Sequence, residues 1–197
     1  MIAQRSLGST GPRVSALGLG CKDGAAIDDG AQTAALDRAA AERAIVVLSG
    51  RDNVFSAGFD LKVFRSGDTA GGAAMVKAGA ELALKVLTFP MPVVTVAQGH
   101  AFPMGAFLKL SADWRIGTSG DWRIGLNEVA IGLTLPRFAL EIARQRLAPA
   151  YFSRTAMTGE MYAPDEARVA GFLDQVVAPA DLAATVEATV ERLAALD

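Results

Sequence analysis

The sequence predicts an α/β fold, a parallel-rich sheet covered by helices, on three observations. Two continuous apolar runs, Ala44-Ile45-Val46-Val47-Leu48 and Val93-Val94-Thr95-Val96-Ala97, have the pattern of strands buried on both faces. Segments of helical periodicity alternate with runs of this kind along the chain. The 197 residues suit one domain, and a composition of 51% hydrophobic and 20% charged residues gives that domain the material for a core.

Each element follows in order. Residues 1–24 stand apart: Arg5 to Gly20 is rich in glycine and turn residues, Thr10-Gly11-Pro12 predicts a turn, and Val14 to Leu19 a short strand. An alanine-rich helix is expected over Ala31 to Arg43, anchored by Leu36. Ser49-Gly50 bounds the first apolar strand, and Arg51 to Gly58 reads as loop. Gly71 and Gly72 break the chain ahead of a helix over Ala73 to Leu87, with Met75, Ala78, Leu82 and Val86 near one face. Pro90 and Pro92 end that helix.

The second apolar strand runs into Gly99-His100-Ala101-Phe102-Pro103-Met104-Gly105-Ala106, a turn that opens a helix toward Ala112. Pro103 suits the first helical position, where its missing N–H costs nothing. The free N–H groups of Met104 and Gly105 then lie at the positive helix end, which can hold a developing negative charge. Two readings stand at this point: an oxyanion site, or an ordinary strand-turn-helix packing corner.

The doubled pentad Asp113-Trp114-Arg115-Ile116-Gly117 and Asp121-Trp122-Arg123-Ile124-Gly125 predicts two short strands joined by Thr118-Ser119-Gly120. Leu126 to Gly132 sets one carboxylate, Glu128, between apolar neighbours. Helices are expected over Arg137 to Leu147, Pro149 to Met157 and Pro164 to Ala170. A strand over Phe172 to Val177 and an amphipathic helix over Pro179 to Leu196 complete the chain.

Composition excludes several functions. A formal net charge of −2 with no long basic run argues against nucleic acid. Cys21 is the single cysteine and His100 the single histidine, so neither an intrachain disulfide nor a Cys/His zinc site can be built, and no metal is expected. A Ser-His-Asp triad would have to use His100, and no G-x-S-x-G elbow accompanies it. His100 therefore reads as a packing histidine. No stretch reaches the ~18 apolar residues of a membrane span, no signal peptide is evident, and a cytoplasmic location is expected.

Two resemblances add to this reading. Residues 1–24 resemble the opening of aldo-keto reductases, where a hairpin leads into the first barrel strand, but the likeness stops there and implies nothing about activity. It marks 1–24 as an atypical segment ahead of a domain spanning 25–197. The rest resembles the crotonase (enoyl-CoA hydratase/isomerase) superfamily in four successive elements. Val54-Phe55-Ser56-Ala57-Gly58-Phe59-Asp60-Leu61-Lys62 is similar to that family's S/A-A-G-x-D-L loop. Val93 to Asp113 resembles its strand, glycine-rich turn and helix; Asn127-Glu128-Val129-Ala130-Ile131-Gly132-Leu133 its glutamate element; Phe172-Leu173-Asp174-Gln175-Val176-Val177 its G-L/F-V/L-D-x-V-V element.

The resemblance implies a crotonase-like spiral of ββα units, shorter at both ends than in the family, and an acyl-CoA thioester as ligand. No cofactor is implied beyond the coenzyme A of the substrate, and trimers or hexamers are the family's habit. By position, the oxyanion donors are the N–H groups of Phe59 and Met104, and Glu128 is the acid/base. Ser56, Ala57, Gly58, Asp60, Leu61, Lys62, Gly105 and Phe107 are the expected substrate contacts. Lys62 reads either as a phosphate contact or as a solvated lysine, and Glu128 either as a proton shuttle or as a structural carboxylate. A hydratase of this family uses two glutamates, and the position of the first is Phe107, which can neither give nor take a proton. Enoyl-CoA isomerisation with Glu128 alone is therefore the leading expectation. A binding protein with little or no catalysis and a hydratase are the alternatives.

Overall fold

The computed structural model describes residues 4–6, 13–18, 29–51 and 53–196. The described elements are strands β1 (Gln4–Ser6) and β2 (Arg13–Gly18), helix α1 (Asp29–Ala41), strands β3 (Ile45–Ser49) and β4 (Asn53–Ser56), and helices α2 (Leu61–Arg65) and α3 (Thr69–Leu87). Strands β5 (Val93–Ala97) and β6 (Gly99–Ala101), helix α4 (Pro103–Ser111), and strands β7 (Trp114–Thr118) and β8 (Ile124–Gly125) follow. A 3₁₀ turn (Val129–Ile131), helices α5 (Arg137–Arg146) and α6 (Pro149–Thr158), strand β9 (Met161–Tyr162), helix α7 (Pro164–Ala170), strand β10 (Gln175–Val177) and helix α8 (Leu182–Ala194) complete the fold.

The strands form two sheets. The larger runs β1-β2-β3-β5-β7-β10, antiparallel only between β1 and β2; the smaller runs β4-β6-β8-β9, antiparallel only between β8 and β9. The continuous apolar strands are buried on both faces, as their pattern requires. Val46 and Leu48 of β3 enter the main core beneath α3 and α4, whereas Ile45 and Val47 enter a second core closed by Leu182 and Val190 of α8. Val93 and Val94 of β5 divide in the same way. The predicted turn Thr10-Gly11-Pro12 and Cys21 lie outside the described residues.

Several elements differ from their sequence reading. The 51–58 segment contains β4, and the stretch after Ala97 contains β6. Each is made by pairing with the other, a contact between distant segments that no local pattern encodes. Gly71 and Gly72 do not break the chain. The Asp68 carboxylate caps α3 by accepting from the Gly71 N–H at 2.8 Å, and the helix starts at Thr69 with both glycines in its first turn. The doubled pentad is no hairpin: its first copy is β7 of the large sheet, and its second yields only Ile124–Gly125, in the small sheet. Trp122 turns back instead, its indole N–H donating to the Thr118 carbonyl at 2.9 Å. The strand expected over 172–177 is confined to Gln175–Val177, because Phe172 and Leu173 belong to the core and Asp174 is taken by an arginine. The terminal helix starts at Leu182, after a 3₁₀ turn over Pro179–Asp181.

That arginine is Arg115 of β7, only 7% exposed. Its Nε and Nη2 donate to Asp174 Oδ2 and Oδ1 at 2.8 and 2.6 Å, and its Nη1 donates to the Gly171 carbonyl at 2.7 Å. The backbone closes the clamp: the Arg115 N–H donates to Asp174 Oδ2, and the Asp174 N–H to the Arg115 carbonyl, both at 2.8 Å. A forked, charge-assisted contact of this kind fixes β10 in register on β7. Asp174→Ala leaves the guanidinium buried and unpaired. A loss on the order of 3 kcal/mol is expected, read as a lower midpoint of urea unfolding, with part recovered in Arg115→Met/Asp174→Ala. An unchanged midpoint in the single variant would refute the clamp.

Candidate active site

The site is built where β4 ends against the start of α4. The Ser56 carbonyl accepts from the Phe102 N–H at 2.9 Å. Gly105, in the first turn of α4, lies directly under Ser56: a Cβ there would stand 2.6 Å from the serine Cβ and 2.9 Å from its carbonyl oxygen. Only glycine lets strand end and helix start approach this closely. Past Ser56 the chain turns through Gly58 at φ +85°, with the Gly58 N–H donating to Ser56 Oγ at 3.3 Å. A Cβ on Gly58 would point at the Met104 nitrogen, 3.6 Å away. The backbone after Gly58 and the head of α4 therefore meet.

Two amides are left without acceptors at that meeting. Pro103 opens α4, Phe102 provides no side-chain cap, and the Gly105 and Ala106 N–H groups both donate back to the Phe102 carbonyl, at 2.6 and 3.2 Å. Among the described residues, the N–H groups of Met104 and Phe59 make no hydrogen bond. One belongs to the positive end of a helix. Two unengaged donors side by side can hold an oxyanion.

A cavity of about 380 Å³ opens at this corner. Ala57, Phe59 and Leu61 line it after β4, Phe64 and Val76 from α2 and α3, Phe102 and Pro103 at the head of α4. Asn127, Glu128, Ile131, Leu133, Thr134 and Pro136 form the remaining wall. Glu128 is the one ionisable side chain among these lining residues. Its backbone is fixed, the carbonyl accepting from the N–H groups of Ile131 and Leu133 at 3.0 and 2.9 Å. The side chain is 6% exposed, and Oε2 is fully buried without a hydrogen-bond partner. Burial raises the carboxyl from 4.5 to about 7, against a smaller opposing effect of its own backbone N–H. The group thus sits where a modest change of surroundings adds or removes its proton, the condition for an acid/base at neutral pH.

The structure brings Ala57, Phe59, Leu61 and Glu128 together on the wall, with Ser56, Gly58, Met104 and Gly105 as the scaffold behind it. Met104 is fully buried and does not line the cavity; its nitrogen lies 3.6 Å from where a Cβ on Gly58 would stand. Asp60 caps α2, accepting from the Lys62 N–H at 2.8 Å, and Lys62 is exposed. Phe107 departs from its expected place. One turn beyond the head of α4 it points into the core, packs edge-on against Phe138 at 6.1 Å, and does not line the cavity. His100 is a packing histidine: Nδ1 accepts from the Arg123 N–H at 3.0 Å, and the ring stacks on Phe102 at 5.3 Å.

Sequence reasoning missed the walls from Phe64, Val76, Asn127, Ile131, Leu133, Thr134 and Pro136. Asn127, Ile131 and Leu133 had a local signal, their place in the segment that carries Glu128; the Asn127 Oδ1 is likewise buried without a partner. It also missed Lys109 on α4, fully buried with Nζ 4.8 Å from the centre of the Phe55 ring and its amine lowered to about 7 by burial and by Arg115. Among the described residues, no group of three or more His, Cys, Asp or Glu side chains can hold a metal ion, and no helix is long and apolar enough to cross a membrane.

Comparison with known proteins identifies the fold and the family. A solved enoyl-CoA hydratase/isomerase family protein of Pseudomonas syringae superposes with a TM-score of 0.86 at 37% identity, over 94% of this chain and 80% of that one. An apo enoyl-CoA isomerase of Mycobacterium tuberculosis gives 0.83 at 32% identity, over 94% and 81%. Among curated proteins, a probable enoyl-CoA hydratase of Mycobacterium avium, echA17, is 34% identical over 141 residues, 71% of this chain and 54% of the relative. The human mitochondrial enoyl-CoA delta isomerase 1 is 29% identical over 136 residues, 68% and 45%. The chain spans about half the length of these curated relatives. The family model described as enoyl-CoA hydratase/isomerase matches residues 31–196, a span that contains every wall of the cavity. The fold is thus that of the crotonases, and the chain belongs to the enoyl-CoA hydratase/isomerase family.

Proposed function

We propose that this protein moves the double bond of a 3-enoyl-CoA thioester to the 2-position, with Glu128 as its sole acid and base. The observation that carries this reading is the composition of the cavity wall, where Glu128 is the one ionisable side chain among the described lining residues. Hydration in this family calls on a second carboxylate, and the corresponding position is Phe107, buried against Phe138.

In this reading the Glu128 carboxylate takes a proton from C2. The electron pair left behind spreads onto the thioester oxygen, which the Phe59 and Met104 N–H groups hold as a dienolate. The Glu128 carboxylic acid then returns the proton to C4, leaving the double bond between C2 and C3. No atom is gained or lost, and one group between two carbons suffices. An apolar wall supports the scheme in two ways: it keeps Glu128 basic, and it strengthens the donors' hold on the enolate. Lys62, exposed on α2, is the candidate partner for the coenzyme A phosphates.

A paired assay tests the reading, offering 3-enoyl- and 2-enoyl-CoA esters and following double-bond migration and water addition separately. Migration without hydration is expected; efficient hydration would overturn it. Glu128→Gln should reduce migration at least about a hundredfold while calorimetry still finds acyl-CoA binding.

The pH dependence has a definite sign. The base is active when ionised, so kcat/KM should rise about tenfold per unit below pH 7 and level off above the value of about 7 given by burial. The same raised value means that the fold disfavours the carboxylate. That penalty is absent below 4.5, grows as pH rises toward 7 and is complete above it. Glu128→Gln should accordingly melt with wild type at pH 4 and above it at pH 8, and equal melting at pH 8 would contradict the burial argument. Gly58→Ala forces a positive φ on a side chain aimed at the Met104 nitrogen. It should lower kcat on the order of a hundredfold, and normal turnover would remove this corner from the mechanism.

A further inference from the structure

Beyond the cavity that contains Glu128 lies a second, more open groove of about 670 Å³. Gly72, Ala73 and Ala80 of α3 and Phe138 of α5 supply its apolar surface, with Asp68 and Lys77 also lining it. Two side chains belong to both spaces, Phe64 of α2 and Val76 of α3. The half-buried Phe64 ring meets Phe59 edge-on at 6.3 Å and 72°, while beside it Gly72 offers bare backbone, where even an added Cβ would stop 3.6 Å short of the ring. The helix that carries Phe64 has five residues and buries none of them. The Phe64 ring, on a helix that buries none of its residues, therefore stands with Val76 between the two spaces.

The sizes give the ring a role. At about 380 Å³ the near cavity is at the small end of ligand sites, which run from roughly 300 to 1,000 Å³. It must admit the thioester and the reacting carbons, so a longer acyl chain has to leave it, and the apolar way out continues past Phe64 and Val76. We infer that Phe64 is the specificity-determining partition that sets the acyl length this protein accepts, and that the groove beyond it takes the distal methylenes of a longer chain when the ring is removed. The inference rests on the acyl-CoA reading above and adds to it the residue that measures the chain.

The test is the ratio of kcat/KM on a 3-dodecenoyl ester to that on a 3-hexenoyl ester. Each further methylene buried in an apolar groove is worth about fourfold, so Phe64→Ala should raise the ratio at least about tenfold over wild type. Ala80 lines only the far groove, so adding Ala80→Phe should return the ratio toward wild type. A ratio within twofold of wild type in Phe64→Ala overturns the inference, as does a gain that survives the filling of the groove. Calorimetry with hexanoyl- and dodecanoyl-CoA reads the same ratio as dissociation constants, independent of turnover. If these esters bind wild type and neither 3-enoyl ester is isomerised, the isomerase reading falls while the partition is still decided by the ratio of dissociation constants. If neither ester binds wild type or variant, the acyl-CoA reading and the partition fall together.

Discussion

Everything in the site depends on one close approach, the contact of Gly105 with Ser56. It lets the end of β4 lie on the first turn of α4. From it follow the hydrogen bond between the Phe102 N–H and the Ser56 carbonyl, the turn at Gly58, and the approach of that turn to the head of α4. A Cβ at position 105 would stand 2.6 Å from the Ser56 Cβ and 2.9 Å from its carbonyl oxygen, so these two segments would have to shift apart. An arrangement of backbone donors tolerates no such displacement, because a hydrogen bond weakens steeply once distance and angle are lost.

The second constraint is the burial of Glu128. A carboxylate with one oxygen sealed from solvent and unpartnered is costly, and among the described residues no cation pairs with it. Contrast Arg115, whose burial is matched by Asp174, the Gly171 carbonyl and paired backbone. One charged group is fully satisfied and orders the large sheet; the other is left unsatisfied beside a cavity. In the proposed function, that unsatisfied group is the one available for chemistry.

Much of the framework was legible before any coordinates. The apolar runs at 44–48 and 93–97 have the pattern of strands buried on both faces and carry β3 and β5, and Pro103, Pro149 and Pro164 each mark a helix start. The elements that escaped are β4, β6 and the split of the doubled pentad between two sheets. Their identity resides in pairing partners rather than in their own residues, and short segments have too little intrinsic preference to announce themselves. Gly71 and Gly72 misled for a related reason: the Asp68 cap outweighs the low helix propensity of the two residues it covers.

The sequence by itself determined the class of fold, the pattern of motifs along the chain, and the place of a lone carboxylate, Glu128, between apolar neighbours. These are properties of residue type and spacing. The tertiary structure alone decided that Phe107 turns into the core, that Phe64, Val76, Leu133 and Pro136 become walls, and that Glu128 is buried deeply enough to reach about 7. Those outcomes depend on which surfaces exclude water and which backbones touch. Both arise only when segments far apart in the chain are packed against one another.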